Sequence, residues 1–222
     1  MEDKFKLTPE DEQLLFEKNL DGLIYSAGKF ENLPTTRLDT KSIIENLAVE
    51  GVKPRDVEII LNMKHAFAYV QAVKAQTPAS LAEIKRINQL VQGGTASDAG
   101  ELRRRDVFIP LSGEDYVPAV PDVKEVAEQL NALAKRATSA TALAIESMLY
   151  LSKHQLFSDG NKRTALIYAN LIMYRNNCGI IAIPDTKMHW YLSLLTKYYL
   201  TGNRAVERWS YDNAVFGLTA GD

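Results

Sequence analysis

The chain has 222 residues, with 26 lysines and arginines against 28 aspartates and glutamates, and a formal net charge of −2. Its 46% hydrophobic and 24% charged residues are typical of one globular domain and exclude predominant disorder. The near-neutral charge gives no support for a general nucleic-acid-binding protein, so we expect no DNA partner. With Cys178 as the single cysteine, no internal disulfide can form. The longest apolar stretch is too short for a bilayer, and we therefore expect a cytoplasmic protein with no membrane partner.

The first ninety residues predict several helices. Thr8 followed by Pro9 is a typical helix start, because the hydroxyl caps the helix and proline fits its first position. Apolar residues then recur at helical spacing in three stretches, each bounded by glycine, proline or serine. These stretches are 43–47, 57–75 and 81–91.

The segment 93–121 differs from the helical stretches before it. It is rich in glycine and proline and contains two short alternating pieces, at 107–109 and 115–117. This pattern predicts a loop with a short β-hairpin on a helical body.

Helical spacing resumes after residue 122. We expect helices at 123–135, 138–153, 163–175, 186–200 and 204–215. The stretch 163–175 is apolar on nearly all sides, which places it at the centre of the core. The whole chain is thus expected to be mainly α-helical, with one short hairpin.

The residues best suited to binding or catalysis lie in the segment 154–163, His-Gln-Leu-Phe-Ser-Asp-Gly-Asn-Lys-Arg. A tight loop that enters a helix N-terminus presents free N–H groups and the positive end of the helix dipole, so it can bind an anion. Gly160 allows close approach, Lys162 and Arg163 add positive charge, and Asp159 offers an oxygen for Mg²⁺. The alternative is an Asx-type turn between two helices, with both cations simply solvated.

The residues Phe157-Ser158-Asp159-Gly160-Asn161-Lys162-Arg163 resemble the Fic/Doc (Fido) signature, H-x-F-x-(D/E/A)-(G/A)-N-(G/K)-R. The flanks are also similar to this family. The segment 60–66 resembles an early Fic helix, and 100–103 leading into 107–110 resembles the target-docking hairpin called the flap. The likeness covers roughly residues 20 to 200.

The resemblance implies a Fic-type helical bundle that binds ATP and Mg²⁺. Most members transfer AMP to a hydroxyl of a target protein, whereas Doc-like members transfer phosphate. By position, Asp159 would hold Mg²⁺, the backbone of Gly160, Asn161 and Lys162 would cradle phosphates, and Arg163 would neutralise charge during transfer.

The flap would be the docking site for the target. Val107, Phe108 and Ile109 would align a target segment by strand addition. The expected partners are therefore a nucleotide and an unidentified target protein, with a second copy of the chain as a further candidate.

One departure concerns the catalytic base. The family's catalytic histidine corresponds to Gln155, whose neutral amide cannot remove a proton, while His154 stands one residue too early. Consecutive helical residues point about 100° apart, so His154 could serve only if the loop holds one extra residue; otherwise it is structural. Three alternatives follow: an adenylyltransferase, a catalytically silent module that binds a nucleotide or a partner, or a Doc-like phosphotransferase. Lys162 is the residue that Doc-like proteins carry.

An upstream segment resembles the family's inhibitory motif, (S/T)-x-x-x-E-(G/N). Glu31-Asn32 fits this motif, although Ala27 replaces the hydroxyl residue and Leu166 replaces the arginine that usually pairs with the glutamate. The resemblance implies that Glu31 enters the nucleotide site, and the alternative is an ordinary surface glutamate. We accordingly divide the chain into an N-terminal helical segment, 1–55, and a Fic core with C-terminal helices, 56–222.

Overall fold

The computed structural model describes residues 1–72, 80–94, 96–111, 113 and 115–218. Within these ranges the chain forms ten α-helices and two small antiparallel sheets of two strands each. The prediction of a mainly α-helical protein with a short hairpin is confirmed. Among the residues described, no helix is long and apolar enough to cross a membrane.

Four helices make up the N-terminal part. They are α1 (Pro9–Lys18), α2 (Leu20–Gly28), α3 (Arg37–Ile44) and α4 (Pro54–Ala72). As predicted, the Thr8 hydroxyl accepts a hydrogen bond from the Asp11 N–H at 3.1 Å and caps α1. The sequence pattern predicts the start of α1 but no separate α2, because only Asn19 lies between the two helices. A 3-10 turn, Lys29–Glu31, follows α2.

The middle of the chain contains α5 (Leu81–Val91) and the flap hairpin. Ser80 and Glu83 form a reciprocal capping box at the start of α5. The hairpin strands are β1 (Ile109–Pro110) and β2 (Asp115–Tyr116), which pair antiparallel and confirm the predicted hairpin. The predicted end of the helix 57–75, and Pro78 beyond it, lie outside the described residues.

The second half holds the remaining elements. They are α6 (Val123–Arg136), α7 (Ala140–His154), α8 (Asn161–Arg175), β3 (Ile180–Ile181), a 3-10 turn (Asp185–Lys187), α9 (Met188–Thr201), α10 (Ala205–Ala214) and β4 (Val215–Phe216). The sequence pattern does not predict the β3–β4 pair, because two-residue strands show no alternation.

Helix α8 is the centre of the core. It packs most extensively on α7 and also contacts α2, α4 and α5. Its residues from Thr164 to Met173 are buried on every side, as its apolar composition predicts. The loop between α7 and α8 is therefore held at both ends by the best-packed pair of helices. The N-terminal helices α2 and α3 pack on α4, and the boundary between residues 55 and 56 stays a prediction.

Candidate functional site

The loop between α7 and α8 is built from two left-handed residues. Gln155 caps the C-terminus of α7 with φ 45°, and Gly160 enters α8 with φ 73°. A Cβ atom on Gly160 would lie 2.9 Å from Cγ1 of Val91. Position 160 therefore requires glycine both for its backbone conformation and for its close contact with α5.

The Asn161 side chain closes this loop. Its Oδ1 accepts a hydrogen bond from the Phe157 N–H at 2.9 Å, and its Nδ2 donates to the Phe157 carbonyl at 2.8 Å. The Phe157 ring is buried in the core. These contacts fix the loop to the start of α8.

Asn88, on α5, stabilises the loop through hydrogen bonds to the loop backbone and to the first turn of α8. Its fully buried side chain donates to the Asp159 carbonyl at 3.0 Å and to the Thr164 hydroxyl at 3.1 Å. Its Oδ1 accepts from the Gly100 N–H at 3.0 Å and from the Gln92 amide at 2.7 Å. Sequence reasoning missed Asn88. The available signal was an asparagine on the apolar face of the helix 81–91.

Two cations and two carboxylates meet at the start of α8. The buried Arg163 guanidinium donates from Nε to Glu31 Oε1 at 2.7 Å, and its Nη2 lies 3.4 Å from Asp159 Oδ2. Lys162 is half-buried beside them, and burial lowers its pKa while the Glu31 carboxylate opposes that shift. The Asp159 side chain is 67% exposed. The structure thus brings Glu31, Asp159, Lys162 and Arg163 together.

Glu31 reaches the loop from the 3-10 turn after α2. The next residue, Asn32, has φ 53°, which explains why glycine or asparagine suits this position. The carboxylate pairs with Arg163, while Leu166, at the position of the family's usual arginine partner, is fully buried in the core. Glu31 is therefore a contact of the loop and not a free surface side chain.

Gln155 and His154 point in different directions. The buried Gln155 amide turns back into α7 and donates from Nε2 to the Ser152 carbonyl at 2.6 Å. His154 is the last residue of α7, with Nδ1 2.8 Å from the Tyr150 carbonyl and its ring against the Tyr150 ring. Because a carbonyl only accepts, Nδ1 carries the proton in this contact. Burial lowers the pKa of His154, and the hydrogen bond to Tyr150 opposes that shift.

Arg103 connects the flap to the end of α7. Its buried guanidinium donates to the Gln155 carbonyl at 2.6 Å, to the Pro118 carbonyl at 2.9 Å and to the Ala119 carbonyl at 2.6 Å. It also donates to the Arg105 carbonyl at 2.7 Å, just before the flap. One side chain therefore sets both ends of the hairpin relative to the loop.

Part of the flap is exposed to solvent. Phe108 is 65% exposed, whereas Val107 and Ile109 are half-buried. On β2 the Tyr116 ring stacks on Tyr199 with centroids 5.1 Å apart. The hairpin is thus anchored through β2, and Phe108 remains accessible to a partner.

The described residues offer limited ligands for a metal. Among them, no group of three or more histidine, cysteine, aspartate or glutamate side chains could hold a metal ion. Asp159, the carboxylate predicted for Mg²⁺, stands exposed beside the loop. This arrangement suits Mg²⁺ bound by one carboxylate together with phosphate oxygens and water.

Several known proteins are similar to this chain in sequence and in fold. A model of the Fic/DOC family matches residues 78–173, which include α5, the flap, the loop and most of α8. The chain is similar to a Nematostella vectensis protein, "Protein adenylyltransferase Fic", with 27% identity over 185 residues, covering 78% of this chain and 42% of that protein. The chain thus spans about two fifths of the length of this relative.

Solved structures share the fold. Fic-1 of Caenorhabditis elegans (residues 134–508) superposes with a TM-score of 0.73 at 18% identity, covering 94% of this chain and 65% of that one. The BepC protein of Bartonella tribocorum with bound AMPPNP gives a TM-score of 0.57 at 13% identity, covering 72% and 86%. The match of the Fic/DOC family model to residues 78–173, together with the shared fold, shows that this chain is similar to Fic proteins.

Proposed function

We propose that this chain binds ATP with Mg²⁺ at the start of α8. The observation that carries the proposal is the left-handed Gly160, which leads directly into a helix N-terminus flanked by Lys162 and Arg163. The first N–H groups of a helix have no partner within it and lie at the positive end of its dipole, so they suit phosphate oxygens. The AMPPNP bound to the related BepC protein supports a nucleotide here.

The residues present fit an anionic ligand. Arg163 already binds an anion, because the Glu31 carboxylate lies 2.7 Å from its Nε. A phosphate that approaches Arg163 must compete with this carboxylate for the same donor. We therefore propose that Glu31 restrains nucleotide binding, while the exposed Asp159 carboxylate would supply the protein's ligand to Mg²⁺.

The transfer of AMP to a protein hydroxyl is the activity we propose for this site, at a low rate. The target hydroxyl oxygen would bond to the α-phosphorus of ATP, the bond to the β-phosphate would break, and pyrophosphate would leave while the hydroxyl proton passes to water. Mg²⁺ would offset the charge of the phosphates. Arg163 would balance charge that develops on the phosphate, and Val107, Phe108 and Ile109 would position the target segment. Gln155 limits the rate, because its amide cannot accept the hydroxyl proton.

A second candidate is a nucleotide-binding module without turnover. The observation that favours it is the Gln155 side chain, which is buried and donates back into α7. Phosphate transfer is a further alternative, because Doc-like proteins carry lysine at the position of Lys162. Both alternatives keep the nucleotide site, so binding and turnover must be measured separately.

Titration calorimetry with ATP–Mg²⁺ tests the binding proposal. We expect Glu31→Gly to bind at least about tenfold more tightly than the wild type, since a competing charge-assisted contact is removed. Arg163→Ala should lose most of the affinity, whereas Arg208→Ala, an exposed arginine on α10, should bind like the wild type. Equal affinities for the two arginine variants, or no binding by Glu31→Gly at millimolar ATP, would contradict the proposal.

A further inference from the structure

The segment that carries Glu31 is held by a second region of the chain. Four of the six residues before Glu31 contact the segment 183–191, which runs from just after β3 into α9. Ser26, buried on α2, accepts from the Ile183 N–H at 2.8 Å and donates to the Ile183 carbonyl at 3.1 Å. These two hydrogen bonds fix the C-terminal half of α2 against the core.

Closer to Glu31, three polar groups form a contact that we call the clasp: Tyr25, Lys29 and Asp185. The Tyr25 hydroxyl donates to Asp185 Oδ2 at 3.0 Å, and Lys29 Nζ lies 3.9 Å from Asp185 Oδ1. Lys29 Nζ also stands 4.4 Å from the centre of the Tyr25 ring. The clasp thus links the 3-10 turn that carries Glu31 to a second 3-10 turn, Asp185–Lys187, which lies just before α9.

The clasp is the weaker part of this attachment. The Asp185 side chain is 52% exposed, so water competes for its contacts. The Ser26 hydrogen bonds are buried, and Phe30 also lies near Tyr191, with ring centroids 6.0 Å apart. Loss of the clasp should therefore loosen the turn without unfolding α2.

We infer that the clasp is a positioning device that holds Glu31 on Arg163, so that weakening it favours nucleotide binding. The inference rests on the proposed function, in which Glu31 competes with a phosphate. The path is short, because Lys29 and Glu31 lie in one 3-10 turn. Asp185 and Tyr25 act through Glu31 and need not touch the nucleotide.

The test is a double-mutant cycle read by ATP–Mg²⁺ calorimetry. Asp185→Asn and Tyr25→Phe are each made in the wild type and in Glu31→Gly. In the wild type each should tighten binding by roughly three- to fivefold, and in Glu31→Gly neither should change the affinity. Asp212→Asn, an exposed carboxylate paired with Arg208 on α10, is the matched control and should have no effect in either background.

The outcomes separate the two claims. If Glu31→Gly binds tightly but both clasp variants bind like the wild type, the clasp inference is overturned and the proposed site stands. Equal shifts in both backgrounds would also overturn it, since the effect would not pass through Glu31. If Glu31→Gly shows no tighter binding than the wild type, the proposed restraint fails and the clasp inference fails with it. Thermal unfolding of each variant shows whether α2 remains folded.

Discussion

In the proposed transfer, the residue at position 155 sets the expected rate, because it corresponds to the catalytic histidine of the Fic signature. A general base contributes about 10²- to 10⁴-fold to the rate of proton removal, and a glutamine amide cannot replace it. The Gln155 amide is directed into α7, towards the Ser152 carbonyl. Residue 155 is nevertheless the first residue after α7, at the start of the loop, where a histidine side chain could be placed.

Gln155→His should therefore raise transfer. We expect at least about a tenfold increase in label transferred from ATP to protein, measured in the Glu31→Gly background so that binding does not limit the rate. Label from the α-phosphate would report AMP transfer, and label from the γ-phosphate would report phosphate transfer. No transfer by the double variant would leave the chain as a binding module.

His154 provides the complementary experiment. Its Nδ1 proton is donated to the Tyr150 carbonyl and its ring packs on Tyr150, so we expect His154→Ala to leave any basal transfer unchanged. Lys153→Ala on the preceding position controls for changes at the end of α7. Complete loss of transfer in His154→Ala alone would make the shifted histidine the base.

The loop residues, together with their resemblance to the Fic signature, predicted part of this site. The spacing from Asp159 to Arg163 located the loop, and the Glu31-Asn32 pair located the segment that meets it. The partner of Glu31 could not be foreseen, because Leu166 occupies the position of the usual arginine and Arg163 takes its place. Asn88 was also missed, since a polar residue within a helix reveals its partners only in three dimensions.

At the scale of elements, α5 supports the loop through a single side chain. Asn88 joins α5 to the Asp159 carbonyl, to the Thr164 hydroxyl and to the Gly100 N–H. All of these contacts lie around a fully buried side chain. Without Asn88, several buried polar groups would lose their partners.

Asn88→Ala should lower the free energy of unfolding by roughly 2–4 kcal/mol, because each unsatisfied buried group costs about 1–3 kcal/mol. Urea denaturation measures this change. Gln89→Ala, the exposed neighbour on the same helix, should change stability by less than about 0.5 kcal/mol. Similar losses in the two variants would contradict the assigned role of Asn88.

The sequence predicts long elements with a clear apolar period better than short ones. Long helices with apolar spacing, such as α7 and α8, were located within a few residues. The sequence does not show that α2 is separate from α1, because the bend at Asn19 spans a single residue. The β3–β4 pair joins residues 180–181 to 215–216, and such a distant pairing of two-residue strands leaves no local signal.

Across the whole molecule, Glu12 links the N-terminal part to the far end of the core. Its buried carboxylate accepts from the Gly179 N–H at 2.8 Å, beside β3. Burial raises the pKa of Glu12 to about 7, although the Gly179 hydrogen bond opposes the shift. Between about pH 4.5 and pH 7 the Glu12 carboxyl thus keeps its proton in the folded protein, whereas the unfolded chain has released it.

The stability should therefore depend on pH in a defined direction. Because the pKa of Glu12 is higher in the folded state, its stabilising contribution is present below about pH 4.5 and is lost as the pH rises to about 7. We expect Glu12→Gln to raise the melting temperature at pH 8 relative to the wild type, on the order of 5 °C, and to change it little near pH 5. Glu10→Gln, exposed on the same helix, is the control. An equal difference at both pH values would contradict the assignment.

Across the molecule, a loop fixed by the best-packed helix pair meets a carboxylate that the N-terminal helices bring to it. We propose as the central claim that phosphates bind the first turn of α8 and compete there with Glu31. Amide chemical shifts in ¹⁵N-labelled Glu31→Gly, followed during titration with ATP–Mg²⁺, test this claim most directly. We predict that the largest shifts fall on Gly160, Asn161 and Lys162, and that the wild type needs more nucleotide to reach them. Largest shifts outside this loop, or none at millimolar ATP, would contradict the account.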